Sequence, residues 1–126
     1  MDLTYAPEQI AFRAEVRAWM AAHAPRFHGI KTLECREGFD AHVKWERELA
    51  GGNWGMVTWP AEYGGRGLDL IRWLIFEEEY YRAGAPVRAN QNGVFLLGPT
   101  IMEFGTPEQK ARFLTPMAHG EVMWAQ

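Results

Sequence analysis

Apolar positions along the chain recur at helical rather than strand spacing. Within residues 4–24, Phe12, Val16, Trp19, Met20 and His23 fall at i, i+4, i+7, i+8 and i+11, one stripe of an α-helix. Pro7 suits the first turn, where its missing N–H costs nothing, and Pro25 closes the segment. After a polar connector over residues 25–37, a second helix is expected over residues 38–50. Phe39, Val43 and Ala50 lie on one side of it, with Trp45 and Leu49 adjoining, and Gly51-Gly52 stops it. Asp69 is a good N-cap for a third helix over residues 70–83, where Leu70, Trp73, Leu74 and Tyr81 or Tyr80 share a face. Gly84 and Pro86 break it. Residues 91–104 read as a fourth helix, kinked at Gly98-Pro99. Its apolar residues (Val94, Phe95, Leu96, Leu97, Ile101, Met102) run nearly all round, which implies burial on several sides. Thr106, Pro107 and Gln109 form a capping box that opens a fifth helix, carrying Phe113 and Leu114 and ending near 116–120.

Two stretches depart from the helical pattern. Residues 53–67 form a long loop that is both glycine-rich and aromatic. Trp54, Trp59 and Tyr63 predict that it is packed down, because a loop of that character has apolar area to bury. Val122 to Gln126 is short, apolar and unpunctuated, and reads as the start of a β-strand. An unpaired strand edge is a liability, so the pattern predicts more polypeptide beyond it. The residues therefore describe an all-α, bundle-like domain of about five helices with one long ordered loop, ending at the start of a strand. Residues 1–121 would be the helical domain and 122–126 the first residues of another.

Composition narrows what such a domain does. One domain fits 126 residues. A net charge of −3 with scattered Lys and Arg argues against a nucleic-acid partner. No apolar run approaches the ~20 residues of a membrane span. The opening residues lack the basic-then-apolar pattern of a signal peptide, and a cytoplasmic location is expected. Six tryptophans, seven phenylalanines and four tyrosines exceed what one small core readily holds, so some should face a partner.

Candidate chemistry is sparse. Serine is absent, which removes a serine nucleophile, and Cys35 is alone in a polar stretch and reads as a free thiol. Gly64-Gly65-Arg66-Gly67 lacks the spacing and the preceding strand of a phosphate-binding loop and reads as a tight turn. The four histidines (His23, His28, His42, His119) show no metal-ligand spacing, and His23 is expected at the edge of the core. The acidic run Glu77-Glu78-Glu79 reads as a solvated helix face. Glu103, in an apolar helix, is either a paired buried carboxylate or, the favoured reading, part of a narrow exposed strip.

Three ordered stretches carry a resemblance. They are Gly55 through Trp59-Pro60-Ala-Glu62-Tyr63-Gly64-Gly65-Arg-Gly67, then Gly98-Pro99-Thr100-Ile101 through Phe104-Gly105-Thr106-Pro107-Glu108-Gln109-Lys110, and then Phe113-Leu114-Thr-Pro116-Met117 through Gly120-Glu121 to Trp124-Ala125-Gln126. Together with the opening Tyr5-Ala-Pro7-Glu8-Gln9 and Phe12-Arg13, the chain resembles the N-terminal helical domain of the acyl-CoA dehydrogenases, in a form closer to bacterial than to mitochondrial members.

The resemblance implies an enzyme with an N-terminal helical domain, a middle β domain and a C-terminal four-helix domain, with FAD between the last two. A glutamate of the C-terminal domain removes the α-proton of an acyl-CoA thioester and the flavin accepts the β-hydride, giving a trans-2-enoyl-CoA. The helical domain forms one wall of the acyl pocket. It also implies an electron-transfer acceptor and a homo-oligomer. No catalytic residue carries over, since the base matches nothing before Gln126, and the chain alone should be inactive. Trp124 and Gln126 match residues that touch the flavin, and Asn92, Phe95 and Leu96 match the acyl-pocket wall. From another class comes the alternative of a stand-alone helical interaction module that binds a full-length relative or an acyl group. Exposed apolar patches are expected to make the chain associate at high concentration.

Overall fold

The computed structural model describes residues 4–126, so Met1, Asp2 and Leu3, on which the signal-peptide reading partly rests, lie outside the described residues. Five α-helices are present among them: α1 (Pro7–His23), α2 (Arg36–Gly51), α3 (Leu70–Arg82), α4 (Gly98–Phe104) and α5 (Pro107–Ala118). Short 3₁₀ turns occupy Ala24–Phe27 and Ala61–Tyr63, and a π-helical segment, Asn92–Leu97, runs directly into α4.

Helix α1 begins at Pro7 rather than at residue 4. A proline disfavours the helical conformation in the residue before it, and Ala6 is extended (φ −66°, ψ 156°). Gln9 closes the start by accepting the Ala6 N–H at 2.8 Å. Phe12, Val16 and Met20 are buried along the expected stripe, against α3.

Helix α2 starts two residues earlier than expected, because the Cys35 thiol acts as its N-cap and accepts the Gly38 N–H at 3.4 Å. Its buried face is also rotated from the expected one. Gly38, His42, Trp45, Glu46 and Leu49 point inward, whereas Phe39 is exposed. The cause is the indole of Trp45, which packs among Trp19, Phe27 and Tyr80 with ring centroids 5.0 to 6.1 Å away and donates its Nε1–H to the Tyr80 hydroxyl at 2.6 Å.

Helix α3 corrects two further expectations. Ile75, Phe76, Glu79 and Tyr80 are buried, whereas Leu70, Leu74 and Tyr81 face outward. Glu79, expected in a solvated face, is buried because Arg13 and Arg17 of α1 reach it at 2.9 Å. A carboxylate so paired can take a core position that apolar counting denies it. Glu103 is exposed, and His23 stacks on Trp19 at the rim of the core, 4.1 Å between centroids.

The side chains form two cores. Helices α1, α2 and α3 enclose Val16, Met20, Trp45, Leu49, Ile75, Phe76 and Tyr80. The π segment, α4 and α5 contribute to a second core of Met56, Trp59, Val94, Leu114, Met117 and Ala118. Loop 53–67 joins them: Trp54 and Val57 enter the first core, Met56 and Trp59 the second. The loop satisfies its own backbone, with Leu68 N–H donating to Val57 O at 2.9 Å and Gly67 N–H to Trp59 O at 2.8 Å. Arg66 locks it, lying over the Trp54 ring at 3.4 Å and donating to the Asn53 carbonyl at 2.7 Å.

Residues 121–126 are in neither helix nor ladder, and no strand occurs among the described residues. A strand exists only with a partner to pair with, and here the run is held by side chains instead.

Candidate functional site

The fourth helical region is built around Pro99. In a regular α-helix its ring would press on the carbonyl four residues back. The turns before it are instead widened to π geometry, with Gly98 N–H donating to Gly93 O. Gly98 has no side chain because Trp59 fills that space: a Cβ there would lie 2.2 Å from the indole. The Thr100 hydroxyl donates to Leu96 O at 2.8 Å. The π segment turns Asn92, Leu96 and Leu97 toward the C-terminal residues.

Between them lies a cavity of about 440 Å³, lined by Asn92, Leu96, Leu97, Thr100, Trp124, Ala125 and Gln126. A second cavity, of about 300 Å³, shares Leu97, Thr100 and Trp124 and continues along α4 past Ile101 and Phe104 to Phe113. The lining is mostly apolar, with the amides of Asn92 and Gln126 in the first cavity and that of Gln109 in the second.

Four of the five site residues expected from sequence, Asn92, Leu96, Trp124 and Gln126, therefore meet at one cavity. Phe95 does not. Its ring points to the opposite side of the segment, beside Trp73, Glu77 and Arg88. Leu96 and Leu97 line the cavity, whereas Phe95 lies against the loop and α3.

Trp124 is fixed by packing and by its backbone. Its ring meets Phe113 edge-on at 5.6 Å, and its N–H donates to Asn90 Oδ1 at 3.0 Å. Its indole Nε1 is buried without a hydrogen-bond partner. Such a group carries a desolvation cost that a ligand acceptor or a small rearrangement would relieve.

Behind the cavity stands a buried polar network. Glu46 and Arg88 pair at 2.8 Å with both side chains nearly sealed from solvent, and Arg88 also donates to Gly55 O at 2.9 Å. Desolvation by burial works against the Arg88 charge, yet Glu46 beside it carries the balance and holds the guanidinium above its ordinary range. Glu46 accepts the Asn90 N–H at 3.2 Å, and the Asn90 amide donates to Met117 O at 3.2 Å and Val122 O at 3.0 Å. Sequence reading found neither Glu46 nor Arg88 nor Asn90. The one available signal was a polar run, Arg88-Ala-Asn90-Gln-Asn92, abutting the most apolar helix.

Elsewhere, no group of three potential metal-ligating side chains occurs among the described residues. No helix among them is long and apolar enough to cross a membrane.

Comparison with known proteins bears on this architecture. Residues 6–121 match the family model for the acyl-CoA dehydrogenase N-terminal domain. Among curated relatives, acyl-CoA dehydrogenase IpdE1 of Mycolicibacterium smegmatis is 42% identical over 120 residues, 91% of this chain and 31% of that protein. The human mitochondrial short-chain specific acyl-CoA dehydrogenase is 41% identical over 64 residues, 49% of this chain and 15% of that protein. Among solved structures, a chain of the ChsE4-ChsE5 complex from Mycobacterium tuberculosis superposes with a TM-score of 0.75 at 34% identity, covering 97% of this chain and 30% of the other. The Tcur3481-Tcur3483 steroid ACAD gives a TM-score of 0.80 at 28% identity, over 98% of this chain and 32% of the other. The chain thus spans about a third of the length of IpdE1 and of these two solved chains. Its five helices, its packed tryptophan loop and the match over residues 6–121 place it in the acyl-CoA dehydrogenase family, as a chain that carries that family's N-terminal domain.

Proposed function

We propose that this chain is the helical part of an FAD-dependent acyl-CoA dehydrogenase, supplying one wall of the acyl pocket, and that it is inactive by itself. The observation that carries the reading is the apolar cavity that gathers Asn92, Leu96, Trp124 and Gln126. Leu96, Leu97 and the face of Trp124 offer an acyl chain a surface without charge, and Asn92 sets a polar limit at one end. Phe95, pointing away, contributes by packing rather than by contact with substrate.

The orphaned donor at Trp124 Nε1 and the exposed Gln126 amide on the lip suit a ring system with acceptors and donors along its edge, so Trp124 and Gln126 would hold the FAD border. When bound, FAD supplies the hydride acceptor for oxidation of the thioester to the trans-2-enoyl-CoA. The residues of this chain exclude water and orient the acyl chain. None of them is placed to take the α-proton, and the base comes from outside residues 1–126.

Two similar structures extend the proposal, one a complex of two different proteins and the other a steroid ACAD. They support an assembly with a second related chain in place of the expected homo-oligomer, and a ring-bearing acyl-CoA as substrate. The two connected cavities along α4 give length and width for such a group. An electron-transfer acceptor and a cytoplasmic location belong to the same reading.

The test is to isolate the native protein and record its mass, its visible spectrum and its response to acyl-CoA. The expected result is a mass about three times 14.4 kDa per subunit, a flavin spectrum, and bleaching of the flavin by a panel of straight-chain and ring-bearing acyl-CoA thioesters. A native protein of 14.4 kDa without flavin would overturn the reading. It would favour the interaction module, for which exposed Phe104 (82%), Tyr81 (71%) and Leu70 (63%) are the supporting observation.

A further inference from the structure

We propose that Asn90 is the positioning residue of this site: its one side chain clasps the backbone of residues 117–124 and so sets where Trp124 and Gln126 stand at the cavity. The inference rests on the reading of that cavity as an acyl-pocket wall.

Asn90 is fully buried, yet every polar atom of its side chain is used. Nδ2 donates to Met117 O at the end of α5 and to Val122 O beyond the turn, while Oδ1 accepts from Trp124 N–H. Three bonds from one amide thus bridge the helix end, the turn at Gly120 and the start of the cavity-lining residues. Among the described residues no other side-chain hydrogen bond reaches residues 122–126, so this amide and the packing of Trp124 on Phe113 together set their path. Asn90 is itself held: its N–H donates to Glu46 Oε1, which Arg88 fixes from the other side. The clasp is therefore referenced to α2, in the other core.

Close packing makes the arrangement specific to asparagine and to its neighbour. A Cβ on Gly93 would lie 2.4 Å from Asn90 Oδ1 and 3.0 Å from Trp124 Cδ1, so the absence of a side chain there leaves room for the clasp. Aspartate at position 90 would lose both donations and place a second carboxylate beside Glu46. Leucine would fill the space and leave the Val122 carbonyl and the Trp124 amide unpaired, while Met117 O keeps the Gly120 N–H at 3.3 Å.

Amide hydrogen exchange on the 126-residue chain tests the clasp whether or not the cavity takes an acyl-CoA. In Asn90→Ala the Trp124 amide should exchange about tenfold faster or more, the loss of roughly one net hydrogen bond. Amides of α1 and α3 should keep their protection. Unchanged Trp124 exchange overturns the proposal, as does a uniform loss of protection across all helices. Should Asn90→Ala fail to fold, Gly93→Ala reads the same contact with Asn90 in place and with better helix propensity. It should shift the Trp124 indole resonance and speed its amide, and an unperturbed Trp124 there overturns the proposal. In the native enzyme, Asn90→Ala should raise KM for acyl-CoA severalfold and lower the flavin content, because Trp124 and Gln126 are displaced together. An unchanged KM beside a loosened Trp124 amide removes the site role. A wild-type protein with no acyl-CoA activity would instead count against the proposed function, leaving the exchange result to decide the clasp.

Discussion

Glu79 shows how one paired charge rewrites a helix face. Its carboxylate is held at about 2, against an ordinary 4.5, chiefly by the hydrogen bonds from Arg17, with Arg13 and Arg82 adding to them against the effect of burial. Because the folded value is depressed, the stabilisation is fully present above pH 4.5 and is lost as pH falls from there toward 2. Glu79→Gln should therefore lower stability by about 2 kcal/mol at neutral pH, the scale of hydrogen bonds to charged groups. Urea midpoints of the two proteins should converge as the pH approaches 2. A gap that persists undiminished at that pH would assign the loss to packing instead. Gly98 makes the steric counterpart. Gly98→Ala drives a methyl into Trp59 and should cost about 1–3 kcal/mol of overpacking, in spite of alanine's better helix propensity. Trp59→Phe in the same chain should recover part of that loss by removing the ring atoms that collide, as thermal unfolding would record.

At the scale of elements, local chemistry was the most legible part of the sequence. The capping box was readable because both of its members are local: Thr106 Oγ1 accepts the Gln109 N–H at 3.2 Å, and Gln109 returns to the Thr106 N–H at 2.9 Å. Thr106→Ala should cost about 1 kcal/mol, with the fold unchanged, and Thr106→Ser should restore it. Failure of serine to rescue, in thermal melts, would mean that the methyl rather than the hydroxyl matters. Asp69 caps α3 in the same way, accepting from Arg72 N–H at 2.8 Å. Which way a helix faces was less legible. In α2 and α3 the expected faces were set by Phe39, Val43, Leu70 and Leu74, but the true ones contain Glu46 and Glu79, whose partners lie 42 and 62 residues away in sequence. A single sequence does not announce such pairs. A break at Gly98-Pro99 was legible in the sequence, while its form, a π segment before Pro99 with Trp59 packed on Gly98, was not. The cavity residues came from a resemblance rather than from pattern, and the Asn90 clasp was invisible because its partners are backbone carbonyls and an amide.

The whole molecule is two small cores joined by one loop and one polar network, and their coupling follows from where the joints lie. Loop 53–67 sends alternate residues into each core. Arg88 binds α2 through Glu46 and the loop through Gly55 O, next to the residue that clasps the C-terminal run. Neither core is large, so each draws stability from the other, and the domain should unfold in one transition. Arg88→Met removes the charge partner of a buried carboxylate and frees the Gly55 carbonyl. That change should cost about 3–5 kcal/mol, the expected loss when one member of a buried pair is deleted. Adding Glu46→Leu removes the stranded charge and should return a good part of the loss, although the Asn90 N–H and Gly55 O stay unpaired. The decisive observation is the shape of the transition in Arg88→Met. Residues of α4 and α5 should lose protection at lower urea than those of α1 and α3, because the mutation cuts the joint rather than either core. Coincident transitions for both sets of helices, at a uniformly lower midpoint, would place the coupling in the tryptophan loop alone.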